Sequence, residues 1–299
     1  MRKWAVSLLA AVFVFSIGTA AALAEDWEKH SESVPTKVLV RVLSHGAKAM
    51  SQKTGALVVF RDARTGKELD KGAVQGSTGD TKALMEAGYQ RMESPTGLIK
   101  GDKGFMPDGR PYESMDEAAK YIATLYLDRP TQLLIEVYGP LMPQHSMGST
   151  ITNTWVFPGE DVLGQGIVVD LRGLIIDARD SLRGADIKAD DVKSGIQVPF
   201  FMRMMCGCPI APKSMGLQWR AEDFKITVQA YYKGKLYHEE VTTSDKLFVD
   251  VSSFIAKVPL PKDLPAGPVS KERLKIRLMA AQPTQANYGL DEFDVYLNR

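Results

Sequence analysis

From residue 37 onward the apolar positions of the chain alternate in short runs that end at glycine, proline or charged turn residues. A period of two over about four to eight residues marks a half-buried β-strand, and many such runs in succession predict a sandwich. In residues 37–43, KVLVRVL, the residues Val38, Val40 and Val42 share one face. Residues 55–60 form the next run and lead into Asp62-Ala63-Arg64-Thr65-Gly66-Lys67, a turn in which Gly66 supplies a positive φ at no steric cost. Residues 71–81, with Gly72, Gly76 and Gly79, continue as strand and loop. Runs at 121–127 and 131–138 flank Asp128-Arg129-Pro130, which reads as a hairpin turn. A last run, Trp155 to Phe157, closes the first half ahead of a boundary at Pro158-Gly159.

The second half repeats the style, with strands expected at 167–171, 174–178, 196–205, 224–232, 235–241, 247–251, 275–280 and 293–297 and a turn at Lys233-Gly234. Four prolines make VPLPKDLPAGPV, residues 258–269, an edge or connecting segment. Between residues 85 and 117 the alternation lapses into glycine, proline and charge, which predicts a long loop. Ser114-Met115-Asp116-Glu117 has capping-box spacing, so a short helix is expected to start there. The fold class is therefore all-β: two immunoglobulin-like β-sandwich domains, 35–157 and 160–299, the first carrying the loop 85–117. No fixed-period repeat suggests a solenoid.

The N-terminus adds an address. Arg2 and Lys3 precede an apolar stretch from Trp4 to Ile17, and Ala22-Leu23-Ala24 is a small-x-small cleavage site, so residues 1–24 read as a signal peptide and Glu25 as the mature start. No later run approaches the ~20 apolar residues of a membrane span, so no transmembrane segment is expected in the mature chain. The product is expected to be periplasmic or secreted. Losing Arg2 and Lys3 takes the formal charge from +1 to −1, with both signs interspersed, which gives no basic footprint for nucleic acid.

The stretch VVFRDARTGKELDKGAVQGSTGDTK, about 25 residues of 299, resembles the first half of secreted transthyretin-like or carboxypeptidase-regulatory-like β-sandwich modules. In those a strand leads through D-x-x-T-G-K into a second strand and a G-x-T turn. The resemblance implies a fold and carries no activity.

Catalytic patterning is sparse. The four histidines, His30, His45, His145 and His238, sit in no nucleophile elbow or H-E-x-x-H motif, and GSTGDTK lacks the Walker spacing. Asp186, Asp190 and Asp191 lack the spacing and glycine of a calcium loop and read as a solvated segment. Trp155 and Trp219 are core or stacking residues. A hydrolase built from dispersed acids and a histidine stays open on these grounds, with His45 or His238 beside a carboxylate as its first support.

The remaining chemistry is RMMCGCP, residues 203–209, which holds both cysteines of the chain. Written as a strand, Val198, Phe200, Met202, Met204, Cys206 and Cys208 fall on one apolar face, so a core role is available. A Cys206–Cys208 disulfide suits an oxidising compartment, but an extended strand separates the two residues by ~6.6 Å and holds their Cβ atoms too far apart. It requires Gly207 to bend the chain ahead of Pro209. Copper is the second chemistry: Cys206 and Cys208 with Met204, Met205, Met202 or Met215 form a soft donor set for Cu(I). LMPQHSM, with Met142, His145 and Met147, resembles the ligand pairs of periplasmic copper carriers over three residues. A redox or covalent-attachment site is the third, although Arg203 is the one basic neighbour in sequence that would lower a thiol pKa.

These readings favour an exported, non-enzymatic binding or accessory protein with a protein or small-molecule partner and no cofactor. A periplasmic copper-binding protein using Cys206 and Cys208 is the alternative, and a hydrolase the second.

Overall fold

The computed structural model describes residues 32–79, 118–264 and 271–298. The signal-peptide segment, the loop 85–117 and the cap at Ser114 lie outside the described residues. Helical segments within them are 3-10 turns of three or four residues, and none is long and apolar enough to cross a membrane. The fold is all-β.

The first sandwich is built from β1 (Val34–Ser44), β2 (Leu57–Asp62), β3 (Glu68–Ala73), β4 (Tyr121–Leu127), β5 (Thr131–Gly139), β6 (Gly148–Val156) and β7 (Val162–Leu171). Sheet β4-β1-β7 faces sheet β3-β2-β5-β6. Alternation does the work: Val38, Val40 and Val42 meet Phe60, Ile135 and Val137 in one buried core. The Asp62 turn forms as expected, with Asp62 Oδ1 accepting the amides of Arg64 at 2.8 Å and Thr65 at 3.0 Å and Gly66 at φ +71°.

Three expectations are corrected here. First, β7 pairs in parallel with β1, from Val40↔Ile167 to Ser44↔Leu171, and Val169 and Leu171 lie in the first core. The first core thus extends through β7, and the two cores meet beyond it, where Leu174 joins the second and Ile175 the first; Pro158-Gly159 is the β6–β7 turn, closed by Glu160 N–H to the Phe157 carbonyl at 3.1 Å. Parallel partners are remote in sequence, so local alternation does not say which sheet a strand joins. Second, Asp128-Arg129-Pro130 is not a hairpin turn: β4 pairs with β1 and β5 with β2 and β6, so the chain crosses between sheets there. Turn chemistry specifies a reversal, not the sheet that receives it. Third, the run read at 155–157 is the end of a nine-residue strand. Its inward positions are Thr150, Thr152 and Thr154, which hide the alternation.

The second sandwich contains β8 (Leu174–Ala178), β9 (Asp186–Lys188), β10 (Ile196–Met204), β11 (Ile210–Ala211), β12 (Trp219–Arg220), β13 (Lys225–Tyr232), β14 (Lys235–Thr243), β15 (Phe248–Asp250), β16 (Ser253–Val258), β17 (Glu272–Gln282) and β18 (Asn287–Asn298). Sheet β15-β16-β10-β8 faces sheet β14-β13-β17-β18-β9, with β11 and β12 as a short parallel ribbon. Phe200 and Phe254 stack at 5.5 Å in the core between them. Asp186 starts β9 beside β18, while Asp190 and Asp191 are exposed on the following 3-10 turn.

The outer face of β17 is charged. A shallow cleft of about 500 Å³ is lined by Tyr231, Lys233, Arg273, Lys275 and Arg277 with Glu272. Much of its positive charge is already paired: Lys275 Nζ and Arg277 Nη2 each lie 2.6 Å from Glu292, and Arg273 lies 2.7 Å from Asp294. Lys275 first, then Arg277, hold the Glu292 carboxyl below the usual glutamate range against a smaller opposing effect of burial. A carboxyl depressed in the folded state contributes stability above its unfolded pKa, about 4.3, and loses it as pH falls through the folded value. The melting temperature of the wild type should therefore fall as pH drops below about 4.3. Glu292→Gln should flatten that part of the profile; an unchanged slope would remove Glu292 from the account.

Candidate functional site at the junction of the sandwiches

Strand β10 delivers the sulfur run to the place where the two cores meet. Residues 196–204 alternate as expected, with Val198, Phe200, Met202 and Met204 buried. The alternation then stops, because Gly207 takes φ +85° and the chain turns. Gly207 N–H reaches the Met204 carbonyl at 2.7 Å and Met204 N–H reaches the Cys208 carbonyl at 3.1 Å. A bridge between Arg203 and Pro209 completes the reversal. Extended geometry would part the two cysteines; the turn instead brings Cys206 Sγ to 2.8 Å from Cys208 Sγ, both as free thiols.

The turn faces both cores. Cys206 and Cys208, 2% and 6% exposed, lie in the second core, whereas Met205 between Met204 and Cys206 lies in the first. A Cβ added to Gly207 would stand 3.0 Å from Thr54 Cγ2 of the first sandwich. Met205 is directed at the joint backbone, since a Cβ on Gly173 would stand 2.5 Å from its Cε.

Electrostatics distinguish the two thiols. Burial pushes Cys206 up, but the Cys208 thiol, the main-chain amides of Cys208 and Lys48 and the Lys48 ammonium outweigh it and lower its pKa. Cys208 is pushed up, chiefly by the Cys206 sulfur and then by burial. The basic group that matters is therefore Lys48, on the far side of the sequence. Arg203, the neighbour in sequence, has its guanidinium over the Phe201 ring at 5.7 Å.

Of the other soft donors, Met202 and Met204 share the buried core of the two cysteines, and the rest lie elsewhere. Met142, Met147 and Met215 are 67%, 49% and 48% exposed, and Met205 turns into the first core. Two metal–sulfur bonds of ~2.3 Å need the sulfurs well apart, so the 2.8 Å contact suits sulfur–sulfur chemistry better than a shared cation.

His145 belongs to a different cluster. It sits on the 3-10 turn Gln144–Ser146, between β5 and β6, with Nε2 3.2 Å from Asp177 Oδ1 and 4.0 Å from Asp291 Oδ2. These three residues have donor atoms close enough for a metal, yet Arg183 Nη2 stands 2.6 Å from Asp291, 3.4 Å from Asp177 and 3.4 Å from His145 Nε2. A guanidinium already fills the charge-compensating position, so the arrangement is an ion network of the second sandwich that His145 reaches from the first. The adjacent Ser146 Oγ donates to the Ile176 carbonyl at 3.0 Å and accepts the Ile176 amide at 3.3 Å.

His45 contacts Asp170 at the end of β7. It has the acidic partner that a hydrolase needs, but the neighbouring Ser44 Oγ is buried without a hydrogen-bond partner. His45 lies on the turn after β1 while Ser44 ends the strand, and the Ser44 hydroxyl makes no hydrogen bond to its imidazole. His238 Nε2 is likewise buried without a partner.

Sequence reasoning singled out Cys206 and Cys208 and named Gly207 as the residue at which the chain would have to bend. Lys48, Asp291, Arg183 and Asn287 escaped it, because each acts on residues more than 100 positions away. An acidic residue at an inward position of an alternating strand, Asp291 in β18, was the available signal.

No family model and no curated protein matches the chain. Among solved structures it is similar to the FN1–FN3 domains of chicken CNTN1, at 8% identity over 90% of this chain and 64% of that one, TM-score 0.23. It is also similar to the zebrafish RET cadherin-like domains 1 to 4, at 10% identity over 67% of this chain and 40% of that one, TM-score 0.20. The chain thus spans less than two thirds of the length of either.

Proposed function

We propose that the chain is an exported interaction protein that assembles with a second copy of itself through the free edge of β6. The carrying observation is that edge. Among the described strands β6 pairs only with β5, in unbroken register from Thr131↔Val156 to Gly139↔Gly148. Its sequence, GSTITNTWV, has no charge, proline or bulge, the devices that normally protect an open edge. Ile151 and Trp155 stand 60% and 58% exposed on its outer face.

The pattern is self-complementary. Antiparallel pairing about Asn153 sets Ile151 opposite Trp155 of the second copy, twice by symmetry, and Thr152 opposite Thr154. Aromatic and β-branched cross-strand pairs contribute about 0.2–1 kcal/mol each, added to a new row of main-chain hydrogen bonds. Export is supported by the basic start, apolar stretch and cleavage pattern of residues 1–24.

Sedimentation of the chain over a wide concentration range tests the assembly. A dimer is expected, and Asn153→Lys should weaken it at least about tenfold, because the introduced ammonium meets its own copy at the symmetry axis. In the monomer that position only faces Leu134 across the strand pair, so the melting temperature should barely move. A wild type that stays monomeric throughout, or an Asn153→Lys variant that dimerises as well, would sink homotypic pairing.

A further inference from the structure

We propose that Cys206 and Cys208 form a reversible dithiol–disulfide couple, with Cys206 the attacking and Cys208 the resolving thiol, that exchanges with small disulfides of the glutathione class. The inference is independent of β6. It rests first on geometry: the turn at Gly207 sets the sulfurs 2.8 Å apart, each the other's nearest reactive partner in a nearly closed environment. The roles follow from the surroundings. Cys206 receives the Lys48 and Cys208 amides and the field of the Lys48 ammonium, which favour its thiolate, while Cys208 keeps its proton beside it.

The exchange balances without another redox partner. The Cys206 thiolate attacks one sulfur of glutathione disulfide, forming a Cys206–glutathione bond and breaking the glutathione S–S bond. One glutathione thiolate leaves and takes up the proton that Cys206 gave. Cys208 then loses its proton, attacks the Cys206 sulfur and expels the second glutathione. Two electrons pass from the protein to glutathione disulfide, leaving one protein disulfide and two glutathione thiols. Two reduced glutathiones run the sequence backwards.

Reversibility follows from the ring size. A bond across one intervening residue restrains the unfolded chain very little, and two-residue spacing opposes relaxed disulfide geometry. Such bonds are the readily reduced ones. The route in is the tip of the turn, where Gly207 is partly exposed while both cysteines are buried.

Equilibration of the native chain across glutathione/glutathione disulfide ratios, acid quenching, alkylation and mass spectrometry reads the couple directly. Both thiols are expected to disappear together with one midpoint and to return on adding reduced glutathione. In Cys208→Ser the glutathione adduct should accumulate on Cys206, at least about tenfold more than on Cys208 in Cys206→Ser. Two thiols that stay free at every ratio, or loss only through links between chains, would overturn the couple on the wild type alone. Equal adducts in the two variants would overturn the assignment of roles.

Discussion

Replacing Arg183 with methionine is expected to lower stability by about 3–5 kcal/mol, the usual cost of removing one partner of a buried ion pair. The cost follows the partner left behind. Arg183 keeps 27% of its side chain exposed, whereas Asp291 exposes none, and the 2.6 Å contact between them is the charge compensation Asp291 has. Its Oδ2 also accepts the Ala178 amide at 2.7 Å, but Oδ1 has no hydrogen-bond partner. Burial opposes the charge on Arg183, and the Asp291 and Asp177 carboxylates overcome it, so the guanidinium is held charged more firmly than usual. Methionine keeps an apolar stem in place and removes the charge, together with the guanidinium carbon that sits 5.5 Å from the Phe293 ring centroid. Urea unfolding of Arg183→Met measures the loss, and Arg183→Met with Asp291→Asn should recover part of it, since a neutral amide no longer requires a cation. A single variant within about 0.5 kcal/mol of wild type would mean that water, not Arg183, solvates Asp291.

How much of this was legible from the residues varies with the range of each interaction. Strands whose buried face is apolar, such as β4, β10 and β13, declare themselves by alternation alone. Strand β6 was seen only at its aromatic end, because threonines at its inward positions carry no hydrophobic signal. Sheet membership was less legible than strand identity: β7 and the crossing at Asp128-Arg129-Pro130 were misplaced because pairing is decided by residues 81 to 127 positions away. At the sulfur pair, Gly207 and Pro209 announced the bend, a local matter of backbone freedom. Its asymmetry stayed invisible, since Lys48 approaches from a loop of the other sandwich. Local chemistry reads from the chain; the field around it comes from the fold.

The second large effect is expected at Asn287, which is wholly buried where three segments converge. Its Oδ1 accepts the Gly173 amide at 3.1 Å, and its Nδ2 donates to the His45 carbonyl at 3.0 Å and to Gln282 Oε1 at 3.1 Å. Gly173 lies between β7 and β8, where the chain passes from the first sandwich to the second, and His45 follows β1, so one carboxamide ties both sandwiches to the β17–β18 turn. Asn287→Ala strands a buried amide and weakens the satisfaction of a carbonyl, each costing about 1–3 kcal/mol. Asn287→Asp separates the two halves of the role: its carboxylate still accepts from Gly173 but has nothing to donate to His45 or Gln282. Alanine and aspartate are both expected to be strongly destabilised on unfolding, aspartate also because it buries a carboxylate without a cation, and that outcome leaves the weight shared between the two sides. Aspartate close to wild type would place it on Gly173. If alanine is also close to wild type, the joint is held by Met205 and the ion network around Arg183, and the polar tie at Asn287 is dispensable.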